Sequence, residues 1–209
     1  PTVLSTSSGR PHAPTPTAVP TRPRAATLPI LLTGVFITIL DFFIVNVAVP
    51  SIERDLHASA AAVQWVVAGY GVAYGSGLIV GSRLGDLFGR RRLFLVGLAA
   101  FGLASAGCGL APNTGMLITA RAVQGAAAAL LTPQVLAILR TTYQGRQQRR
   151  AISAYALTMG LAAAFGQVIG GLLIQADLFG LGWRTCFLIN VPIGAAALVL
   201  ARRAIPESR

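Results

Sequence analysis

Two ionisable residues stand inside apolar runs, where water has no ready access. Asp41 lies within Leu28 to Val49, and a charged carboxylate at such a place costs about 2.5–3.5 kcal/mol on insertion scales. It must face protein or water, or carry a proton. Arg121 lies within Met116 to Leu139 and is followed by Gln124 and Gly125. Spacings of three and four place Arg121, Gln124 and Ala128 on one helix face. A buried arginine keeps its charge and needs a partner or a water-filled cavity, for which Asp41 and Gln124 are the natural candidates. Two plainer readings stay open: Asp41 as an interhelical hydrogen-bond partner only, and Arg121 snorkelling to the interface from near its helix end. The densest charge cluster is Gly81 to Arg92, GSRLGDLFGRRR. An apolar helix running up to Val80 cannot stay in hydrocarbon through Arg83, Asp86 and Arg90, so a tight polar turn at a membrane face is expected. Nothing assembles an enzyme. There is no P-loop and no Ser/His/Asp or Cys/His set, and the two His are His12 and His57. Cys108 and Cys186 lack metal-ligand or disulfide-framework spacing, so no metal and no cofactor is expected.

These side chains need long apolar helices to position them, and the composition supplies the material. The chain of 209 residues is 54% apolar and 11% charged, with mean hydropathy +0.68, against about 25% charged in soluble domains. That is material for about six spans of roughly 20 residues each. The net charge of +11 flanks apolar runs and forms no continuous stripe, which speaks for membrane orientation and against nucleic acid. All 17 basic residues are Arg, and with abundant Ala and Gly this hints at a high-GC bacterial coding sequence. Residues 1–26 read as a disordered cytoplasmic tail, 27–203 as a six-helix transmembrane bundle and 204–209 as a cytoplasmic end. The tail is not a signal peptide, since the apolar run after it is too long and lacks a cleavage site; without an initiating Met the chain reads as trimmed or partial. Spans are expected at Leu28–Val49, Ala61–Gly81, Leu93–Leu110, Met116–Leu139, Ala151–Gln175 and Trp183–Arg203, with polar loops at Ser51–Ala60 and Arg140–Arg150. Gly166, Gly170 and Gly171 give the fifth span a small-residue face for close helix packing. The tail, the second-to-third loop, the fourth-to-fifth loop and the C-terminus are basic, while the other loops offer only Arg54 and Arg184. By the positive-inside rule both termini are cytoplasmic, as an even number of spans requires.

Four motifs in order resemble those of the major facilitator superfamily. Gly81, Leu84 (one place off), Asp86, Gly89, Arg90 and Arg91 resemble its second-to-third loop, G-x-L-x-D-R-x-G-R-R, with Leu87 at the usual Arg. Leu40, Asp41, Val45, Asn46, Val47, Ala48 and Pro50 resemble the first-span motif of drug:proton antiporters, with Phe43 at the usual Thr. Arg121, Gln124 and Gly125 resemble the fourth-span motif, with Ala127 at its second Gly. Trp183, Arg184, Phe187, Ile189, Asn190, Val191, Pro192, Ile193 and Gly194 resemble the sixth-span motif of the fourteen-span branch. In the fifth span Gln167 stands where the antiporters have Pro, which removes an expected kink and offers a polar group instead.

The resemblance implies an all-α polytopic membrane protein, the N-terminal six-helix half of a fold in which two halves rock about a central site. It implies proton-coupled efflux of drugs or small hydrophobic metabolites across the bacterial cytoplasmic membrane. The proton-coupling and cavity residues would be Asp41, Arg121 and Gln124. The cytoplasmic gate would be Gly81, Asp86, Gly89, Arg90 and Arg91, and the helix-packing motif Gly166, Gly170, Gly171, Asn190 and Pro192. The expected partners are the lipid bilayer, protons, a small-molecule substrate, and either the missing C-terminal half or a second copy. A solute importer of the same fold and a truncated, non-transporting assembly protein are the alternatives.

Overall fold

The computed structural model describes residues 26–205. The expected tail, apart from Ala26, and the residues after Ile205 lie outside the described residues. Within them are five long helices, α1 (Thr27–Leu56), α2 (Ala60–Phe88), α3 (Arg90–Gly109), α4 (Thr114–Thr142) and α5 (Gly145–Ala176). A sixth span follows, in which short α6 (Thr185–Leu188) leads into α7 (Asn190–Ala204). Six segments are long and apolar enough to cross a membrane. A helix of 29 residues, such as α2, extends roughly 44 Å at 1.5 Å per residue, more than the hydrocarbon core is thick.

The helices outrun the expected spans, and three loop assignments are corrected accordingly. Residues 51–56 continue α1 instead of opening a loop. Pro50 sits inside α1, and the helix ends only where His57 turns left-handed at φ 48°. Residues 140–150 are helical except at Tyr143 and Gln144. The turn expected over Gly81 to Arg92 contracts to Gly89, at φ 96° and ψ 127°, a conformation that a side chain disfavours. The reason is common to all three: polar residues end a span's apolar stretch, but outside hydrocarbon they leave the backbone free to go on winding.

Such brief connections force consecutive helices to run antiparallel, yet apart from α3 with α4 the main packing is between non-consecutive ones. α4 lies between α2 and α3, α5 lies along α1, and the sixth span packs on α3 and α1. Exchanging the first three spans with the last three maps this set of neighbours onto itself, α1 with α5 becoming α4 with α2. Glycines let the close pairs form. A Cβ on Gly81 would strike the Ala129 carbonyl, and one on Gly125 the Tyr70 carbonyl, both across the α2–α4 seam. Gly166 and Gly170 do the same for α5 against Leu40, Phe43 and Ile44 of α1, while Gly171 meets only Val47, at 3.9 Å. The core forms two clusters, one around Leu31, Phe94, Phe101 and Leu131, the other around Ile44, Val66, Trp183 and Phe187. α2 and α5 are the least buried spans, and Val72, Ile79, Phe165, Val168 and Leu172 leave them apolar on the outside.

Candidate functional site

Asp41, at mid-length in α1, is fully buried, as are Arg121, Gln124, Ser105 and Asn190. The Arg121 guanidinium donates through Nη1 to Asp41 Oδ2 and to Gln124 Oε1 at 2.9 Å, and through Nε to the Val66 carbonyl at 3.1 Å. Asp41 Oδ1 accepts from Gln124 Nε2 at 2.9 Å and from Asn190 Nδ2 at 2.7 Å. The carboxylate is thus met by three donors from two helices, α4 and α7. Arg121 also lies 4.4 Å from the centre of the Tyr70 ring and 5.6 Å from that of Phe187, so aromatic faces take the place of water around its charge. Tyr70 is pinned in turn, its hydroxyl donating to the Thr38 carbonyl at 2.9 Å.

A second layer holds the first. Ser105 Oγ donates to the Phe187 carbonyl at 2.9 Å, and accepts from Gln124 Nε2 at 3.0 Å and Asn190 Nδ2 at 3.1 Å. The Cys108 thiol lies 3.5 Å from Gln124 Oε1. An ion pair this dry is tolerable only with hydrogen bonds around it, and the amides and the serine supply most of them, while Arg121 Nη2 and Asn190 Oδ1 stay buried with no hydrogen-bond partner among the described residues. Arg121 does not snorkel; it turns inward to α1.

The structure brings Asp41, Arg121 and Gln124 together and adds Asn190, which the sequence reading had grouped with the packing glycines. Pro192 stays apart, on an apolar groove of about 540 Å³ between α1 and α7. Tyr70 covers Arg121, and Gln167 is exposed on α5. Ser105 escaped the sequence reading, since a serine in an Ala/Gly-rich span looks like one more small residue. Asn190, an amide within an apolar run, carried a signal of the kind read at Asp41.

The residues of the expected gate gather at the end of the bundle where α2 passes into α3. Asp86 and Arg90 pair at 3.2 Å, and Arg90 Nη1 reaches the Ala137 carbonyl at 3.4 Å. Arg91 donates to the Arg202 carbonyl at 2.8 Å, tying α3 to α7. Gln134 donates to the Gly81 carbonyl at 2.8 Å and fills the space beside Gly85. A cavity of about 790 Å³ opens here, lined among others by Tyr74, Arg83, Asp86, Arg90, Arg140 and Tyr155. At the opposite end Asp55 accepts from Trp183 Nε1 at 3.0 Å and from Arg184 Nη1. Arg184 Nη2 also reaches the Ala111 carbonyl at 3.3 Å. Of the two described arginines at that end, Arg54 and Arg184, the second is therefore paired locally.

A sequence model of the Major Facilitator Superfamily matches residues 31–209. Among curated proteins, the chain is 40% identical over 186 residues to a probable actinorhodin transporter of Streptomyces coelicolor, covering 89% of this chain and 32% of the relative. It is 41% identical over 183 residues to a tetracenomycin C resistance and export protein of Streptomyces glaucescens, covering 88% and 33%. A puromycin resistance protein of Streptomyces alboniger is 42% identical over 183 residues, with 87% and 35% covered. The chain thus spans about a third of the length of these curated relatives. Among solved structures, a bacterial homolog of the human lysosomal transporter Spinster, inward-facing and occupied, superposes with TM-score 0.77 at 20% identity, over 89% of this chain and 45% of that one. A peptide transporter, POT, in complex with sulfate gives TM-score 0.73 at 16% identity, over 88% and 39%. At these identities the likeness concerns the fold alone.

Proposed function

Because the chain belongs to the Major Facilitator Superfamily, we propose that it is the first six-helix half of a proton-coupled exporter of drugs or small hydrophobic metabolites, with Asp41 as the proton carrier. It is an integral membrane protein with six spans. The observation that carries the reading is the dry junction of Asp41, Arg121, Gln124 and Asn190, where α1, α4 and α7 meet. A charged Asp41 holds α1 to Arg121 on α4. A proton on the carboxylate cancels that attraction while Arg121 keeps its charge, so the two protonation states favour different packings of the same helices. If the packings open to opposite sides, a proton entering from one side drives substrate out through the other.

The assignment to efflux of drug-like molecules draws on the relatives' names, which speak of transport of actinorhodin, export of tetracenomycin C and resistance to puromycin. Arg83, Arg90, Arg91, Arg92, Arg140, Arg146, Arg149, Arg150, Arg202 and Arg203 fall at one end of the bundle; on the positive-inside rule this is the cytoplasmic end in the bacterial cytoplasmic membrane. Asp86 and Arg90 then stand at the cytoplasmic mouth as the gate, with Gly81, Gly89 and Arg91 shaping the backbone around them. The outward apolar faces of α2 and α5 suit a second six-helix body, the C-terminal half or a second copy.

The test is drug-driven proton movement in proteoliposomes that enclose a pH dye. It compares this chain, the chain joined to its natural downstream sequence, and the joined chain with Asp41→Asn. Coupled flux in the joined chain that Asp41→Asn abolishes is the expected result. Undiminished flux with Asp41→Asn overturns Asp41 as the carrier, and coupled flux by this chain alone replaces the half-transporter by a homo-oligomer.

A further inference from the structure

Every polar contact to Asp41 is a donor: Arg121 Nη1, Gln124 Nε2 and Asn190 Nδ2. That set suits a carboxylate and conflicts with a carboxylic acid, whose new O–H needs an acceptor. Of the three neighbours, Arg121 has no acceptor atom. Gln124 has one, but its Oε1 already holds Arg121 Nη1 and the Cys108 thiol, so turning that amide breaks the hold on the arginine. Asn190 remains. Its Oδ1 is buried and has no hydrogen-bond partner among the described residues.

We propose that Asn190 reads the protonation state of Asp41, its amide donating to the charged carboxylate and turning over to accept the hydrogen bond of the neutral acid. This rests on Asp41 being the proton carrier. On protonation, one proton from water bonds to a carboxylate oxygen, the Asn190 Nδ2 bonds to Asp41 and Ser105 break, and the new O–H is accepted by Asn190 Oδ1. Ser105 keeps Gln124 as donor and the Phe187 carbonyl as acceptor. Deprotonation returns the proton to water and the amide to its first orientation, so no other group is consumed.

The surroundings leave this amide as the responsive partner. The titratable groups in electrostatic reach of Asp41 are Arg121 on α4, Tyr70 on α2, Cys108 on α3 and Cys186 on α6. Gly166 and Gly170 bring α5 to the same stretch of α1 without adding a charge. Tyr70's hydroxyl proton is committed to the Thr38 carbonyl. Asn190 is also placed to pass the change on. Pro192 has no N–H to give the Leu188 carbonyl, and α6 ends at Leu188 where α7 begins at Asn190. The hydrogen-bond ladder of the sixth span is therefore interrupted beside the residue that turns, while the backbone stays helical through Ile189, at φ −61° and ψ −30°.

The chain contains three asparagines, Asn46, Asn113 and Asn190, and four aspartates, Asp41, Asp55, Asp86 and Asp177, few enough to resolve each by magnetic resonance. The full chain, labelled with 15N-asparagine and 13C-aspartate and held in lipid nanodiscs, is titrated with acid. The Asn190 side-chain amide signal is expected to shift with the same midpoint as the Asp41 carboxyl carbon, with Asn46 and Asn113 unmoved. Asp41→Asn abolishes the Asn190 response; should that variant not fold, the unsubstituted titration decides alone. If Asp41 titrates while Asn190 stays fixed, this inference falls and the proton carrier stands. If Asp41 keeps one form over the whole range in which the fold persists, the proton carrier falls and takes the inference with it.

Discussion

Asp41–Arg121 and Asp86–Arg90 are built from the same two side chains. The first pair is sealed from solvent on both sides, while in the second Asp86 is 57% and Arg90 30% exposed. The first joins α1 to α4 across 80 residues of sequence, whereas the second spans four residues around the Gly89 joint. In water an ion pair exchanges hydration for a partner at nearly even terms, so Asp86–Arg90 is weak and free to break and re-form. In the dry junction neither charge has hydration to return to, so the pair holds until a proton removes one of the charges. On the proposed function, burial makes one pair a proton-dependent fastening and suits the other to a gate that opens repeatedly.

The largest way to break this contrast is to leave the buried cation alone. Asp41→Leu should lower stability by about 3–5 kcal/mol, read as a large fall in thermal midpoint in nanodiscs. Adding Arg121→Met should recover most of it. No recovery in the double variant would show that the junction's stability does not reside in the charge pair. A middle-sized effect should come from Gly125→Ala, whose new methyl collides with the Tyr70 carbonyl and displaces the ring that covers Arg121. A loss of about 1–3 kcal/mol is expected, and an unchanged midpoint would mean that α2 yields without strain. Smallest is Asp86→Asn, at about 1 kcal/mol or less, with the difference vanishing at high salt. A salt-independent loss there would make the exposed pair resemble the buried one.

The sequence made the number of spans and the apposition of Asp41, Arg121 and Gln124 legible, because a charge in an apolar run has few ways to be satisfied. Helix ends were less legible, since hydropathy marks where hydrocarbon stops and winding does not stop with it. Asn190 was read as part of a packing motif for want of one geometric fact, that the sixth span crosses α1 at the level of Asp41. Ser105 had no signal of its own; its role exists only once α3 is set beside α4 and α7. Pairings between non-consecutive helices are what sequence periodicity does not encode.

Those pairings also impose an order on synthesis. Asp41 is made 80 residues before Arg121 and 149 before Asn190. At about 5–20 residues per second, the ribosome reaches the arginine roughly 4–16 s after the aspartate. The first span therefore enters the membrane with an unmatched acid and must wait, protonated or sheltered by the insertion machinery, for a cation that has not yet been translated.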